Sequence, residues 1–231
     1  MTTITRRKLL AFTAGATLAS AWAADATAAE AWTEGKHYFR IPQPIPPRPG
    51  AVTVTEVFSY GCPACNAFLP YMESLEKKLP AGVAAEYVPA SWSAAENWPT
   101  FQRAYLTAKA LGVAKQAHTA MFQAIWGPNG ELAIMDSRTG RIRSPLPSMA
   151  DIARFYERVA KVPAAKFVDT SKSFSVETDV KRSESTIRSY LADSTPTIVV
   201  NGKFRLQPGT AGGAQQAVDL ALWLVQQEQR K

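Results

Sequence analysis

Two cysteines stand three positions apart in Gly61-Cys62-Pro63-Ala64-Cys65, and the 231-residue chain has no others. A pair at this spacing can form a structural disulfide, supply half of a zinc site, or exchange electrons with other thiols. A structural disulfide across so short a loop gives limited stabilisation. A zinc site would need ligands that only His37 and His118 could add, and both read as ordinary surface or core residues. Redox chemistry is therefore the expectation, and the local pattern explains how it would work. Cys65, Phe68, Leu69, Met72, Leu75 and Leu79 recur at helical spacing, so a helix begins at the pair. Pro63 suits its first position and places Cys62 at the N-cap. There the sulfur meets unpaired N–H groups and the positive end of the helix dipole, which stabilise a thiolate. Such cysteines have pKa values of roughly 3.5 to 7.5. Cys62 is then the nucleophile, and Cys65, one turn inward, its resolving partner.

The elements around the pair must hold that geometry. Val52, Val54, Val57 and Phe58 form a β-rich run that leads into the cysteine corner, and Val83 to Val88 reads as a second strand after the helix. Strand, helix and strand in that order imply a parallel pairing. Pro70 is expected to kink the helix, since it has no N–H and crowds the preceding turn. From about Ala90 to Leu191 the periodicity is helical, with Gly127 to Pro147 an irregular stretch expected to lie on the surface. Trp92, Trp98 and Trp126 are expected to pack inside. Thr197 to Val200 and Lys203 to Leu206 flank Asn201-Gly202, the strongest short hairpin signal, and Ala217, Leu220, Ala221 and Leu224 mark a last helix. Gly209 to Gly213 reads as a loop and helix start. Ahead of all this, Gly35 to Arg40 suggests a short first strand, and Ile41 to Pro49 is a proline-rich connector.

The N-terminus has a different logic. Arg6, Arg7 and Lys8 precede the apolar Leu9 to Trp22 and then Ala26-Thr27-Ala28, the order of an export signal with its cleavage site. The adjacent arginines fit a twin-arginine signal as well as a general one. The mature protein is expected outside the cytoplasm, in the oxidising periplasm where disulfide chemistry is possible. The chain carries a net charge of +7, and removing residues 1–28 leaves 23 basic and 18 acidic residues, or +5. These are scattered, without the basic stripe interleaved with aromatics that nucleic acid requires. With 46% hydrophobic and 19% charged residues, the composition is that of a globular protein and excludes a disordered one.

The order βαβ, helical segment, ββα resembles a thioredoxin-like domain carrying a helical insertion. Glu56-Val57-Phe58-Ser59-Tyr60-Gly61-Cys62-Pro63-Ala64-Cys65, together with Ser194-Thr195-Pro196-Thr197-Ile198-Val199-Val200-Asn201-Gly202-Lys203, is similar to the DsbA-type thiol:disulfide oxidoreductases over nearly all of the mature chain. The resemblance implies an α/β fold, a central mixed sheet flanked by helices with an inserted all-helical domain. Its parts would be an export signal at 1–28, thioredoxin-like segments at 29–89 and 192–231, and the insertion at 90–191.

The family implies an exposed Cys62 and a buried Cys65. Pro196 would be the cis-proline facing them, with Thr195 before it binding a client strand and Pro63 and Ala64 touching it. Glu56 would be the buried acid that handles the Cys65 proton. It shares strand parity with Val52 and Val54, where a carboxylate needs a reason; Glu86 is a lesser candidate. The redox group would be the Cys62–Cys65 disulfide, with no cofactor and no metal. Partners would be reduced exported proteins and a DsbB-like quinone-linked membrane oxidase, with no nucleic acid, and the chain would be a monomer. Ala64 departs from the histidine of the best-known members. Alanine gives the thiolate neither charge nor hydrogen bond, so a milder oxidant is expected. A reductase or isomerase, or a peptide-binding module without enzymatic activity, are the alternatives.

Overall fold

The computed structural model describes residues 32–45 and 51–230. The expected export signal and the last part of the proline-rich connector lie outside the described residues. Five strands form one mixed sheet: β1 (Phe39–Arg40), β2 (Val52–Phe58), β3 (Val83–Pro89), β4 (Thr197–Val200) and β5 (Phe204–Leu206), ordered β1-β5-β4-β2-β3. β2 and β3 are parallel, as the intervening helix α1 (Pro63–Lys78) requires, and the other pairings are antiparallel. The first strand is shorter than its sequence suggested. A turn takes up Gly35 to His37, and Glu34 bridges to Tyr38 instead.

β2 is central and buried along nearly its whole length. Its residues serve two cores. Val54 meets Phe68, Met72 and Leu75 of α1, Ile198 and Val200 of β4, and the apolar face of the last helix, α8 (Ala214–Gln229). Val57 and Phe58 belong to a second cluster shared with the five helices that follow β3: α2 (Trp98–Ala110), α3 (Ala114–Trp126), α4 (Met149–Ala160), α5 (Ala164–Ser171) and α6 (Phe174–Ser189). The helical insertion is therefore packed onto the sheet by a common apolar core. Alternate residues of β4 divide between the clusters, Val199 to one and Ile198 and Val200 to the other, as the two-residue period of a strand dictates.

Local rules set the ends. Both Asn201 and Gly202 have positive φ, 54° and 61°, at the centre of the turn between β4 and β5 that the Lys203 N–H closes on the Val200 carbonyl oxygen. That turn is tied to α8: the buried Glu228 carboxylate accepts from Asn201 Nδ2 at 2.7 Å and Lys203 Nζ at 2.5 Å. α4 begins in a reciprocal cap between Ser148 and Asp151. α1 runs unbroken through Pro70. Part of the Gly127 to Pro147 stretch contradicts a purely superficial reading, because Leu132 and Ile134 are fully buried and anchor it to the insertion core. Gly209 lies within a short helix, α7 (Pro208–Ala211), which closes with Gly212 at φ 97°.

Candidate active site

Between β2 and α1 the chain turns through Ser59-Tyr60-Gly61. The Cys62 N–H donates to the Ser59 carbonyl oxygen at 3.1 Å and the Gly61 N–H to Ser59 Oγ at 3.2 Å. Cys62 becomes the N-cap of α1 with Pro63 at the first helical position, and its sulfur accepts the Cys65 N–H at 3.4 Å. The corner is fastened from the insertion side as well. Trp126 Nε1 donates to the Tyr60 carbonyl oxygen at 2.8 Å, and the Tyr60 hydroxyl lies 2.9 Å from His118 Nδ1 inside a cage of Phe58, Tyr105 and Phe122. Burial lowers the His118 pKa to about 4, so the ring is neutral and structural.

Thr195 and Pro196, which lie 133 and more residues downstream of Cys62, arrive beside it because β4 pairs with β2. The Thr195–Pro196 peptide is cis, and the Cys62 thiol can donate to the Thr195 carbonyl oxygen at 3.6 Å. Both cysteines are unbridged in this structure.

The two sulfurs have opposite electrostatics. The Cys62 pKa is lowered to about 6, chiefly because the Cys65 thiol donates to its thiolate. Burial opposes this, while the Thr195 hydroxyl and the N–H groups of Cys65 and Ala64 add to it. Burial pushes the Cys65 thiol up, helped by its bond to Cys62 and by Glu56. Cys62 keeps 5% of its surface and Cys65 1%. The family resemblance implied an exposed Cys62, but the two differ little in access. Charge separates them: the sulfur with the lower pKa is the better leaving group, and it is Cys62.

Glu56 lies buried on β2, opposite Tyr87 of β3 and Ile198 of β4. Burial first, then the charges of Cys62 and Glu76, raise its pKa to about 8. Glu86 pairs in register with Thr55, so strand alternation turns it to the other face of the sheet from Glu56. Among the described residues, no group of three or more His, Cys, Asp or Glu side chains could hold a metal ion.

Beside Pro196 a cavity of about 520 Å³ opens, walled by Ala64, Phe68 and Tyr71 of α1 and by Thr195, Pro196 and Gln207. Phe68, Tyr71 and Gln207 were not among the residues expected from sequence. The spacing 64, 68, 71 puts the α1 members on one helix face, which is a usable signal; nothing in the sequence places Gln207 there. On the opposite flank Trp98 closes on Gly61. Its neighbour Trp92 is 43% exposed, contrary to the expectation that it packs inside.

No family model matches the chain. Among curated relatives, the thiol:disulfide interchange protein DsbA of Pseudomonas aeruginosa is 32% identical over 204 residues, which cover 88% of this chain and 89% of that protein. The protein of the same name from Azotobacter vinelandii is 30% identical over 195 residues, 84% of this chain and 83% of that one. The crystal structure of P. aeruginosa DsbA matches with a TM-score of 0.73 at 32% identity, over 87% of this chain and 97% of that one. That of oxidoreductase DsbA from Xylella fastidiosa matches with a TM-score of 0.73 at 30% identity, over 85% and 97%.

Proposed function

Because this chain belongs to the DsbA family of thiol:disulfide interchange proteins, whose redox group is its own Cys-x-x-Cys disulfide, we propose that it works in the oxidising direction on exported proteins in the periplasm. The observation that carries this reading is the Cys62 sulfur at the N-cap of α1, 3.4 Å from the Cys65 N–H and beside the Thr195–Pro196 segment. A client thiolate attacks Cys62 of the Cys62–Cys65 disulfide. The S–S bond breaks, Cys65 leaves with the electron pair and takes a proton, and a mixed disulfide joins client to Cys62. A second client thiolate attacks the client sulfur and expels Cys62 as a thiolate. The client leaves oxidised and the enzyme leaves reduced, to be reoxidised by a DsbB-like quinone-linked membrane protein. Residues 1–28 direct export. The limits of 29–89 and 192–231 for the thioredoxin-like parts and 90–191 for the insertion belong to the same reading, as does the monomeric state.

Thr195 and Pro196 bind the client backbone in this reading, and Pro63 and Ala64 flank it. The apolar cavity beside Pro196 receives an adjacent client side chain. Ionisation of Cys62 stabilises the reduced form. With a pKa of about 6 in place of 9, that effect alone makes the disulfide about 30 mV more oxidising at pH 7. A redox equilibrium against glutathione tests the direction. The expected potential lies well above about −270 mV, the value typical of thioredoxin, and below about −120 mV, that of the most oxidising DsbA. Ala64→His is expected to move it upward. A wild-type value at the thioredoxin end would make the protein a reductase.

Glu56 supplies the proton that the departing Cys65 thiolate needs. It is protonated below its pKa of about 8, so the rate of mixed-disulfide formation per client thiolate should fall as pH rises through that value. Glu56→Gln removes the donor. Stopped-flow oxidation of a dithiol peptide, expressed per peptide thiolate, should then be slower by on the order of 10²-fold below pH 8, and flat across it. A variant with the wild-type rate and pH profile would show that Glu56 only fills space.

A further inference from the structure

Within the Gly127 to Pro147 stretch, Met135 and Ile142 bridge as an antiparallel pair and close a small ribbon. The Asp136 N–H donates to the Arg141 carbonyl oxygen at 2.8 Å, and the Arg143 N–H to that of Ile134 at 2.8 Å. Its tip is firmly built. Asp136 Oδ1 accepts from the N–H groups of Arg138 and Thr139 and from the Thr139 hydroxyl, and Gly140 sits at φ 66°. Ile134 points into the core, so strand alternation turns Met135 outward, and its bridge partner Ile142 lies on the same face. They are 37% and 43% exposed. Around them Arg138, Arg141 and Arg143 are all exposed. The Arg138 and Arg141 guanidinium groups have no partner among the described residues, and Arg143 reaches only the Ala133 carbonyl oxygen, at 3.4 Å, and the field of Asp136. Glu131, the other nearby acid, is engaged by Arg158. An ordered turn thus displays two apolar side chains and three cations with a single acid, whose carboxylate is occupied in shaping the turn.

We propose that residues 135–143 form a peripheral membrane contact that seats on anionic phospholipid headgroups. The arginines meet phosphates, and Met135 and Ile142 enter the headgroup layer, the combination of charge and apolar area that interfacial segments use. A lipid surface fits better than a polypeptide because the ribbon is an exposed turn that carries its charge and apolar area together, while three cavities of about 460 to 620 Å³ elsewhere on the described residues are walled by other side chains. Both ends of the stretch are rooted behind the active-site corner. Trp126, just before it, holds the Tyr60 carbonyl, and the Pro147 carbonyl accepts from Asn97, neighbour of the Trp98 that covers Gly61. The contact would thereby keep the catalytic corner close to the membrane, though its existence does not depend on the redox direction.

Sedimentation of the exported, processed protein with vesicles tests this. Binding is expected to vesicles of phosphatidylglycerol and phosphatidylcholine, to weaken steeply with salt, and to be absent with phosphatidylcholine alone. Three cations at roughly fivefold each predict that R138Q/R141Q/R143Q binds about 100-fold more weakly. M135S/I142S, with its charge unchanged, should also bind more weakly, while both variants keep wild-type oxidation of a short dithiol peptide in solution. Equal binding to both vesicle types, no binding at all, or undiminished binding by the arginine variant would overturn the proposal. So would slowed oxidation of an acid-flanked peptide by that variant with vesicle binding intact, which would make a polypeptide the partner.

Discussion

Cys62→Ser is expected to abolish oxidation of a reduced client, with a loss on the order of 10³-fold or more, because the sulfur that the client attacks and the leaving group of the second step are the same atom. Cys65→Ser should behave differently. Its lone Cys62 thiolate still attacks a client disulfide, but no thiol stands behind it to release the adduct, so a mixed disulfide accumulates on non-reducing gels. A protein whose cysteines were only a staple beside a peptide groove would lose client processing in neither variant, and that result would remove the enzymatic reading. The pH dependence is fixed by the same site. With its pKa lowered to about 6, Cys62 is mostly thiolate at pH 7, so its alkylation rate in the reduced protein should rise through pH 6 and level off well before pH 9. The reduced fold gains from this group too. A depressed pKa stabilises the folded state fully above about 9, the value for the unfolded chain, and the gain is lost as pH falls through about 6. The oxidised protein carries no such term, so the stability gap between the two forms should narrow on acidification, as paired thermal melts would read.

Gly61→Ala is the substitution expected to damage the fold of the corner most. A Cβ there would lie 2.6 Å from the Glu96 carbonyl oxygen and 2.6 Å from Trp98 Cδ1, closer than real side chains come. Neither neighbour yields easily. Glu96 ends the short 3₁₀ turn that leads into α2, and the Trp98 ring is buried between the corner and the insertion. Forcing a methyl group into a filled site costs about 1 to 3 kcal/mol. For a domain of this size that lowers the melting temperature by roughly 3 to 10 °C. Cys62 is the next residue, so its thiolate should also lose alignment with the first turn of α1 and titrate higher. An unchanged melt with an unchanged thiolate pKa would mean that the insertion moves aside freely.

The cysteine corner was legible because its signals are local. Pro63 at the first helical position, the apolar i, i+3, i+4 series from Cys65 and the β-rich run before Gly61 all act within a few residues of one another, and the Asn201-Gly202 turn announced itself in the same way. The glutamate at position 56 could be placed on a buried strand, but parity was a poor guide to its surroundings, since both faces of β2 are covered. Long-range contacts left no such trace. The hold of Trp126 on the Tyr60 carbonyl and the approach of Trp98 to Gly61 depend on how helices cross, and Trp92 looked like core because composition does not say which of two adjacent tryptophans the surface keeps. The burial of Leu132 and Ile134 was hidden by the glycines, prolines and arginines around them, which read as an uninterrupted loop.

The pairing of β2 with β4 has a consequence for how the protein is born. α1 and its cysteines form from local sequence, and the insertion helices follow as a contiguous run, whereas β4 must find a strand some 140 residues upstream. Contacts of such sequence separation form late, after the costly closure of the intervening chain. Until the residues from Thr195 onward have been synthesised, Cys62 has its helix but neither the Thr195 carbonyl nor the wall of Pro196. The nascent chain therefore carries a reactive thiol at an unfinished active site, which is completed only when about the last forty residues arrive.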